Sequence, residues 1–259
     1  MEKNKEMRYF VFCQSDLLLE KISNDKYTIP NGDIPPTEVK EWTKQMVITM
    51  PSGEKVTTYA INSPVTDSYQ YEMCPLRQSY YKLSREEYIC AGKCHEIVYW
   101  DKTTRFCGVC GGTMKQHTEI SKRCTECGKE VWPQVSTAVI ALIHKGPDEV
   151  LLVRAKNFRT NFYGLVAGFV ETGETLEEAI AREALEETGI KIKNIRYFGS
   201  QPWPYPCGLM VGFNADYESG TIHLQESEIA KGAWFNRNSL PTLPEKLSIA
   251  RMLIDDWLG

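Results

Sequence analysis

The chain has 259 residues, 42% of them hydrophobic and 25% charged, enough to bury a core in one large domain or in two to three small ones. Thirty basic against 34 acidic residues leave a formal net charge of −4, which argues against the broad basic surface that sequence-independent nucleic-acid binding needs. The opening stretch MEKNKEMRYFVFCQ holds no apolar segment long enough for a signal peptide, and no window approaches eighteen consecutive apolar residues, so neither secretion nor a membrane span is expected.

Nine cysteines then need a setting. Four fall in close pairs, while Cys13, Cys74, Cys90, Cys94 and Cys207 do not. An odd total with paired clusters points to a metal site plus free thiols rather than a disulfide framework, and so to a reducing, cytoplasmic location.

In chain order, residues 1–100 are expected to form a small α+β domain. Alternation at the start places Tyr9, Val11 and Cys13 on one side of a strand, and SREEYICAGKCHEIVYWD reads as a helix. Cys90 and Cys94 lie one helical turn apart there, either as half of a metal site or as two partly buried thiols.

From 101 to 131 the texture becomes short and cysteine-punctuated. FCGVCG and RCTECGK supply two C-x2-C knuckles, with thirteen residues between Cys110 and Cys124. Cys107, Cys110, Cys124 and Cys127 are thus spaced as the four thiolates of a zinc ribbon, each knuckle closed by a glycine, Gly111 or Gly128. Four cysteines complete a tetrahedron and leave no position for water, so this Zn2+ is expected to be structural. A redox pair is the weaker alternative.

Residues 132–259 read as a third domain. VSTAVIALI, EVLLVRA and LVAGFV are strands, with a basic-polar loop, KNFRTNFYG, before the last of them. TLEEAIAREALEETG is a helix, N-capped by Thr175 with Glu178 completing a capping box and stopped by Gly189. Strands follow at about 191–199, 209–217 and 232–236, and a helix at about 246–258.

On the helix that starts near Leu176, Glu183, Glu186 and Glu187 fall within roughly a third of the circumference, beside Leu176 and Ala179. Glu177 and Glu178 point elsewhere. Carboxylates at i, i+3 and i+4 repel one another, and burying them needs compensating charge. A divalent cation with hard oxygen ligands, Mg2+ or Mn2+, supplies it most simply; a plain acidic face is the alternative.

The stretch from Gly168 to Ile190 fits G-x5-E-x7-R-E-U-x-E-E-x-G-U, with Gly168, Glu174, Arg182, Glu183, Glu186, Glu187, Gly189 and Ile190 in its fixed positions and Ala184 in the first apolar slot. It resembles the box of the Nudix hydrolases. That resemblance implies an α/β fold, an α/β/α sandwich with a mixed sheet, preceded here by the ribbon and the α+β domain. It implies that Glu183, Glu186 and Glu187, with Gly168, hold Mg2+ or Mn2+, that Arg182 orients them, and that Glu174 anchors the loop.

The ribbon ahead of the box, the entry AGKCHEIVYWDKTTRFCGVCG, and SQPWPYP ten residues after the box together resemble the NADH pyrophosphatase branch, from about residue 90 to the C-terminus. Members cleave NADH or NAD+ to a nicotinamide mononucleotide and AMP, bacterial ones also remove NAD caps from RNA, and they are commonly homodimers. The resemblance makes Phe169 a ring that stacks on a substrate base and Trp132 an aromatic contributed across a dimer. It makes Glu228 a further catalytic or metal-binding carboxylate, and Ser248 and Ala250 part of a helix start near the substrate. Ser200, Gln201, Trp203 and Tyr205 fall in the proline-aromatic run, which is expected to form a rigid wall of the site. Two positions depart from the branch: Cys207-Gly208 replaces a serine-bearing tail, and Thr137 replaces a frequent proline. A hydrolase of ADP-ribose or another dinucleotide, and a non-catalytic ligand-sensing or nucleic-acid-binding module, are the alternatives.

Overall fold

The computed structural model describes residues 7–41, 43–66, 69–156 and 161–259. Part of the basic-polar loop read at 156–164, residues 157–160, lies outside them. The chain divides into two compact units, one running to Gln134 and including Pro204–Cys207, the other comprising Val135–Trp203 and Gly208–Gly259. Among the described residues no helix is long and apolar enough to cross a membrane.

The first unit opens with strands β1 (Met7–Cys13), β2 (Asp16–Ser23), β3 (Lys26–Thr28), β4 (Asn31–Gly32), β5 (Lys44–Thr49), β6 (Lys55–Ile61) and β7 (Tyr71–Pro75). They join one sheet in the order β3-β2-β1-β6-β5, with β4 added to β1 and β7 to β2. The alternation at Tyr9, Val11 and Cys13 is present, but β1 is buried on both faces. Tyr9 and Val11 pack with Leu18 and Tyr59, while Phe10 and Phe12 face a larger core that includes residues of the following long helix. A short α1 (Leu76–Ser79) leads to that helix, α2 (Arg85–Thr103). Ser84 caps it, and Glu87 closes a capping box. Cys90 and Cys94 are buried in the core, with burial pushing both thiols up, as free thiols rather than ligands.

The ribbon strands β8 (Met114–Thr118), β9 (Ser121–Cys124) and β10 (Glu130–Val131) form a separate three-stranded sheet in the same unit. Lys122 on β9 is only 4% exposed. Its ammonium meets the Asp101 carboxylate at 2.8 Å and donates to the carbonyls of Asp101 and Thr104, at 2.7 and 2.8 Å, over the Trp100 ring. A buried cation thereby satisfies the carbonyls at the end of α2, where the helix dipole favours positive charge. Lys122→Met would leave the Asp101 carboxylate with Lys44, at 3.1 Å, and strip the Asp101 and Thr104 carbonyls of their buried donor. It is expected to destabilise the unit by about 2 kcal/mol, read from the urea midpoint, with little effect if the contact is incidental.

The second unit contains β11 (Ser136–Lys145), β12 (Glu149–Ala155), β13 (Val166–Phe169), α3 (Leu176–Thr188), β14 (Lys191–Trp203), β15 (Gly208–Ser219), β16 (Ile229–Asn236) and α4 (Ile249–Leu258). The sheet order is β14-β15-β11-β12-β16, with β13 added to β11, and only the β11–β15 pair is parallel. Because side chains alternate along a strand, β11 splits its residues between two cores. Val139, Ala141 and Ile143 pack with Ala179, Ile180 and Ala184 of α3, whereas Ile140 and Leu142 pack with Ile249, Leu253 and Ile254 of α4. The result is the α/β/α sandwich with a mixed sheet.

One boundary differs from the sequence reading. The run Ser200–Trp203 is strand, not loop, and only Pro204–Cys207 makes the turn. Pro202 is tolerated because β14 is an edge strand, where a missing amide donor breaks no inner ladder.

Candidate active site

Helix α3 begins and ends as its sequence dictates. Thr175 accepts from the Glu178 amide, the Glu178 carboxylate accepts from the Thr175 amide, and Gly189 stops the helix at φ +71°. Glu177 and Glu178 face solvent, which leaves Arg182, Glu183 and Glu187 on the inward side. β13 delivers Gly168 and Phe169 beside them.

Arg182 is the hub of the cluster. Its Nε and Nη2 donate to the two oxygens of Glu174 at 2.9 and 2.7 Å. Nη1 donates to Glu183 at 2.9 Å and Glu186 at 3.1 Å, and Nη2 also donates to the Phe169 carbonyl at 3.0 Å. The fork to Glu174, reinforced by the Glu171 amide at 2.7 Å, draws that carboxyl down to about 2. Glu174 thus ties the loop to the helix.

Glu187 lies deeper, 5% exposed, with one carboxylate oxygen buried and unpartnered. Burial pushes its pKa up to about 8, the neighbouring Glu183 and Glu228 carboxylates add to the rise, and the Ala167 amide opposes it. Burial also raises Glu183 against the pull of Arg182. The Glu183 carboxylate occupies the space over Gly168: a Cβ there would come within 1.9 Å of Oε1. Gly168→Ala is therefore expected to displace Glu183 and to lower kcat at saturating Mn2+ by about tenfold or more. An unaltered kcat would mean that the close approach is irrelevant.

Glu228 joins the site from the segment before β16. The Gln225 amide donates to the Glu187 carbonyl at 3.0 Å, and the Glu228 carbonyl accepts from the Lys156 amide at 2.7 Å. A cleft of about 630 Å3 opens here, lined among others by Gly168, Phe169, Arg182, Glu183, Glu187 and Glu228. Phe169 is 66% exposed, its ring available to a planar ligand.

The donor set fits a hard divalent cation. It offers carboxylate oxygens, one of them buried without a partner, and a glycine that admits the Glu183 head against the backbone. Among the described residues, however, the four cysteines are the only group whose ligand atoms all lie within 4.8 Å of one another. The carboxylates are not gathered so tightly, and Arg182 holds Glu183 and Glu186.

In the ribbon, Cys107 and Cys127 Sγ lie 3.7 Å apart and Cys110 and Cys124 Sγ 3.4 Å apart. Gly111 and Gly128 take φ of +76° and +73°, which lets the knuckles turn amides toward sulfur. Backbone N–H groups, that of Cys127 foremost, pull the Cys124 thiol down to about 6. The site fits tetrahedral Zn2+ with four thiolates.

The remaining predicted site residues are not all brought to the cleft. Gln201 spends its side chain on the start of α4, donating to the Leu247 carbonyl and accepting from the Ile249 amide, both at 2.7 Å. Ser248 is the N-cap of α4, and Ala250 is buried in its first turn. Ser200 is exposed on β14 and Trp203 ends that strand. Tyr205 packs against the core beneath α2, its hydroxyl 2.5 Å from that of Tyr88, and Pro204 sits over Gly92. Trp132, in the first unit, is 54% exposed. At Gly208 a Cβ would stand 3.2 Å from the Trp203 carbonyl, so the tight pairing at the turn accounts for the glycine. Lys156, which lines the cleft, leaves one trace in the sequence, its place in the basic-polar loop directly after a strand.

The sandwich, the Arg182-centred carboxylates and the box between β13 and α3 define a Nudix domain. Family models match three successive stretches: an NADH pyrophosphatase-like rudimentary NUDIX domain over residues 6–100, an NADH pyrophosphatase zinc ribbon domain over 102–131, and a NUDIX domain over 134–256. The chain is 40% identical over 208 residues to the NAD-capped RNA hydrolase NudC of Pseudomonas aeruginosa, covering 80% of this chain and 74% of that one. It is 36% identical over 245 residues to the enzyme of that name from Photorhabdus laumondii subsp. laumondii, covering 92% and 91%. In fold it resembles the crystal structure of a NUDIX hydrolase from Nitrosomonas europaea, with a TM-score of 0.52 at 22% identity over 59% of this chain and 90% of that one. The chain belongs to the NADH pyrophosphatase branch of the Nudix hydrolase family.

Proposed function

We propose that the protein hydrolyses the pyrophosphate bond of NADH or NAD+, adding water across P–O–P to release a nicotinamide mononucleotide and AMP, and that the same cleavage removes NAD caps from RNA. The observation that carries this reading is the cleft lined by buried Glu187, half-buried Glu183 and exposed Glu228 beside exposed Phe169. Relatives named for NAD-capped RNA hydrolysis support the substrate class.

Glu183, Glu186, Glu187 and Glu228, with Gly168, would hold Mg2+ or Mn2+. Bound there, the cation would neutralise phosphate charge and make a water more acidic. The chain supplies the rest. Arg182 holds Glu183 and Glu186 in place, and Glu174 holds Arg182. Glu187, buried with one carboxylate oxygen unpartnered, or Glu228 beside it, takes the proton of the attacking water. Phe169 and Trp132 offer stacking faces, and Trp132 does so across a homodimer. The five thiols outside the ribbon are free, in keeping with a cytoplasmic enzyme, and the ribbon Zn2+ has a structural task. We assign domains to residues 1–100, 101–131 and 132–259.

Product analysis on NADH, NAD+, ADP-ribose and NAD-capped RNA with Mn2+ tests this. AMP should appear faster from NADH than from ADP-ribose, and capped RNA should yield a 5′-monophosphate end. Equal or reversed rates would reject the NADH assignment.

A further inference from the structure

The cleft is crowded with negative charge and is proposed to take a ligand that is itself negative. A pyrophosphate diester brings two anionic phosphates to Glu183, Glu186, Glu187 and Glu228. Among the described residues, two cations line the cleft, Arg182 and Lys156. Arg182 has nothing left to give. A guanidinium carries five N–H donors, and all five are engaged by Glu174, Glu183, Glu186 and the Phe169 carbonyl.

Lys156 is exposed, and its ammonium makes no ion pair or hydrogen bond with another described residue. Its backbone is nevertheless fixed. The β12–β16 register shifts between Arg154 and Ala155: Arg154 faces Lys231 and Ala155 faces Ile229, leaving Ala230 as an extra residue. Such a bulge re-aims the residues beside it. Here it brings the Glu228 carbonyl within 2.7 Å of the Lys156 amide, so the acid and the ammonium-bearing residue share one rim.

We propose that Lys156 is a substrate-binding residue whose ammonium pairs with a non-bridging oxygen of the pyrophosphate, supplying the charge that Arg182 cannot. This rests on the pyrophosphatase reading above. A lysine is suited to the task as a compact point charge on a flexible stem. The phosphates are anionic before and during attack, so the pairing strengthens ground and transition states alike and acts on binding more than on turnover.

Lys156→Gln is expected to raise KM for NADH roughly tenfold, with kcat within about threefold of wild type, and to flatten the rise of KM with ionic strength. Lys156→Arg should recover most of the affinity. Calorimetry with inorganic pyrophosphate and Mn2+ should find about tenfold weaker binding to the glutamine variant, at an unchanged melting temperature. Unchanged KM and pyrophosphate affinity in Lys156→Gln would overturn the assignment, as would an arginine variant as impaired as the glutamine one. A wild type that binds pyrophosphate through Lys156 but cleaves no NAD-type substrate would reject the substrate reading and leave this one standing. No pyrophosphate binding by the wild type would overturn this assignment and leave the substrate reading to the product analysis.

Discussion

Glu187→Gln is expected to lower kcat by about 10²- to 10⁴-fold, the range for loss of a positioned acid–base group, while the protein becomes more stable in alkaline buffer. The two effects share one cause. Burial and neighbouring carboxylates raise the Glu187 pKa from the usual range to about 8. Between the unfolded value near 4.5 and about 8, the folded chain holds a proton that the unfolded chain has released. Stability therefore falls as pH rises through that window, by at most about 1.4 kcal/mol per pH unit. A neutral glutamine removes the dependence. In buffer free of Mg2+ and Mn2+, with the ribbon zinc retained, the variant should melt with wild type at pH 4.5 and above it at pH 9. Added Mn2+ should raise the melting temperature of wild type more than that of the variant. Retained turnover, or a variant that melts lower at pH 9, would refute this account.

Arg182→Lys should cost nearly as much activity, about 10²-fold or more, despite conserving charge. Lysine has three donors on one atom, whereas Arg182 uses four on a rigid plane to span Glu174, Glu183 and Glu186 together and a fifth on the Phe169 carbonyl. The stability effect carries its own sign. The Glu174 carboxyl is depressed to about 2, so its contribution is present above about 4.5 and disappears as pH falls through 2. The difference in melting temperature between wild type and variant should be greatest near neutrality and shrink below pH 4.5. A lysine variant with kcat within twofold of wild type would show that the hub is dispensable.

Much of this site is written locally in the chain. The capping box at Thr175, the stop at Gly189 and the i, i+3, i+4 glutamates are short-range features, and the structure bears out the helix they define. The two knuckles of the ribbon are equally local. Tyr205 is different. Its hydroxyl meets that of Tyr88, 117 residues away, and no pattern near SQPWPYP announces that partner. Gln201 and Ser248 look like ligand-facing polar residues in sequence, yet both cap α4, a role fixed by where a distant helix begins. In residues 7–75 the central strands β1 and β6 are buried on both faces and lose the clean alternation that marks a half-exposed strand, whereas β5 keeps it at Met46 and Ile48.

Helix α2 carries a helix-interior glycine that by propensity costs about 1 kcal/mol relative to alanine. Pro204 explains it, since a Cβ at Gly92 would meet the proline ring at 3.1 Å; Tyr88 and His95, one turn either side, hold Tyr205 and the Pro204 carbonyl. This strip of helix is therefore a mould for the tip of the β14–β15 hairpin. Anyone trimming the protein to a minimal catalyst beginning at residue 135 would discard the mould and keep the casting. The excised fragment would retain every glutamate of the box, yet present Pro204 and Tyr205 to water with nothing to shape them.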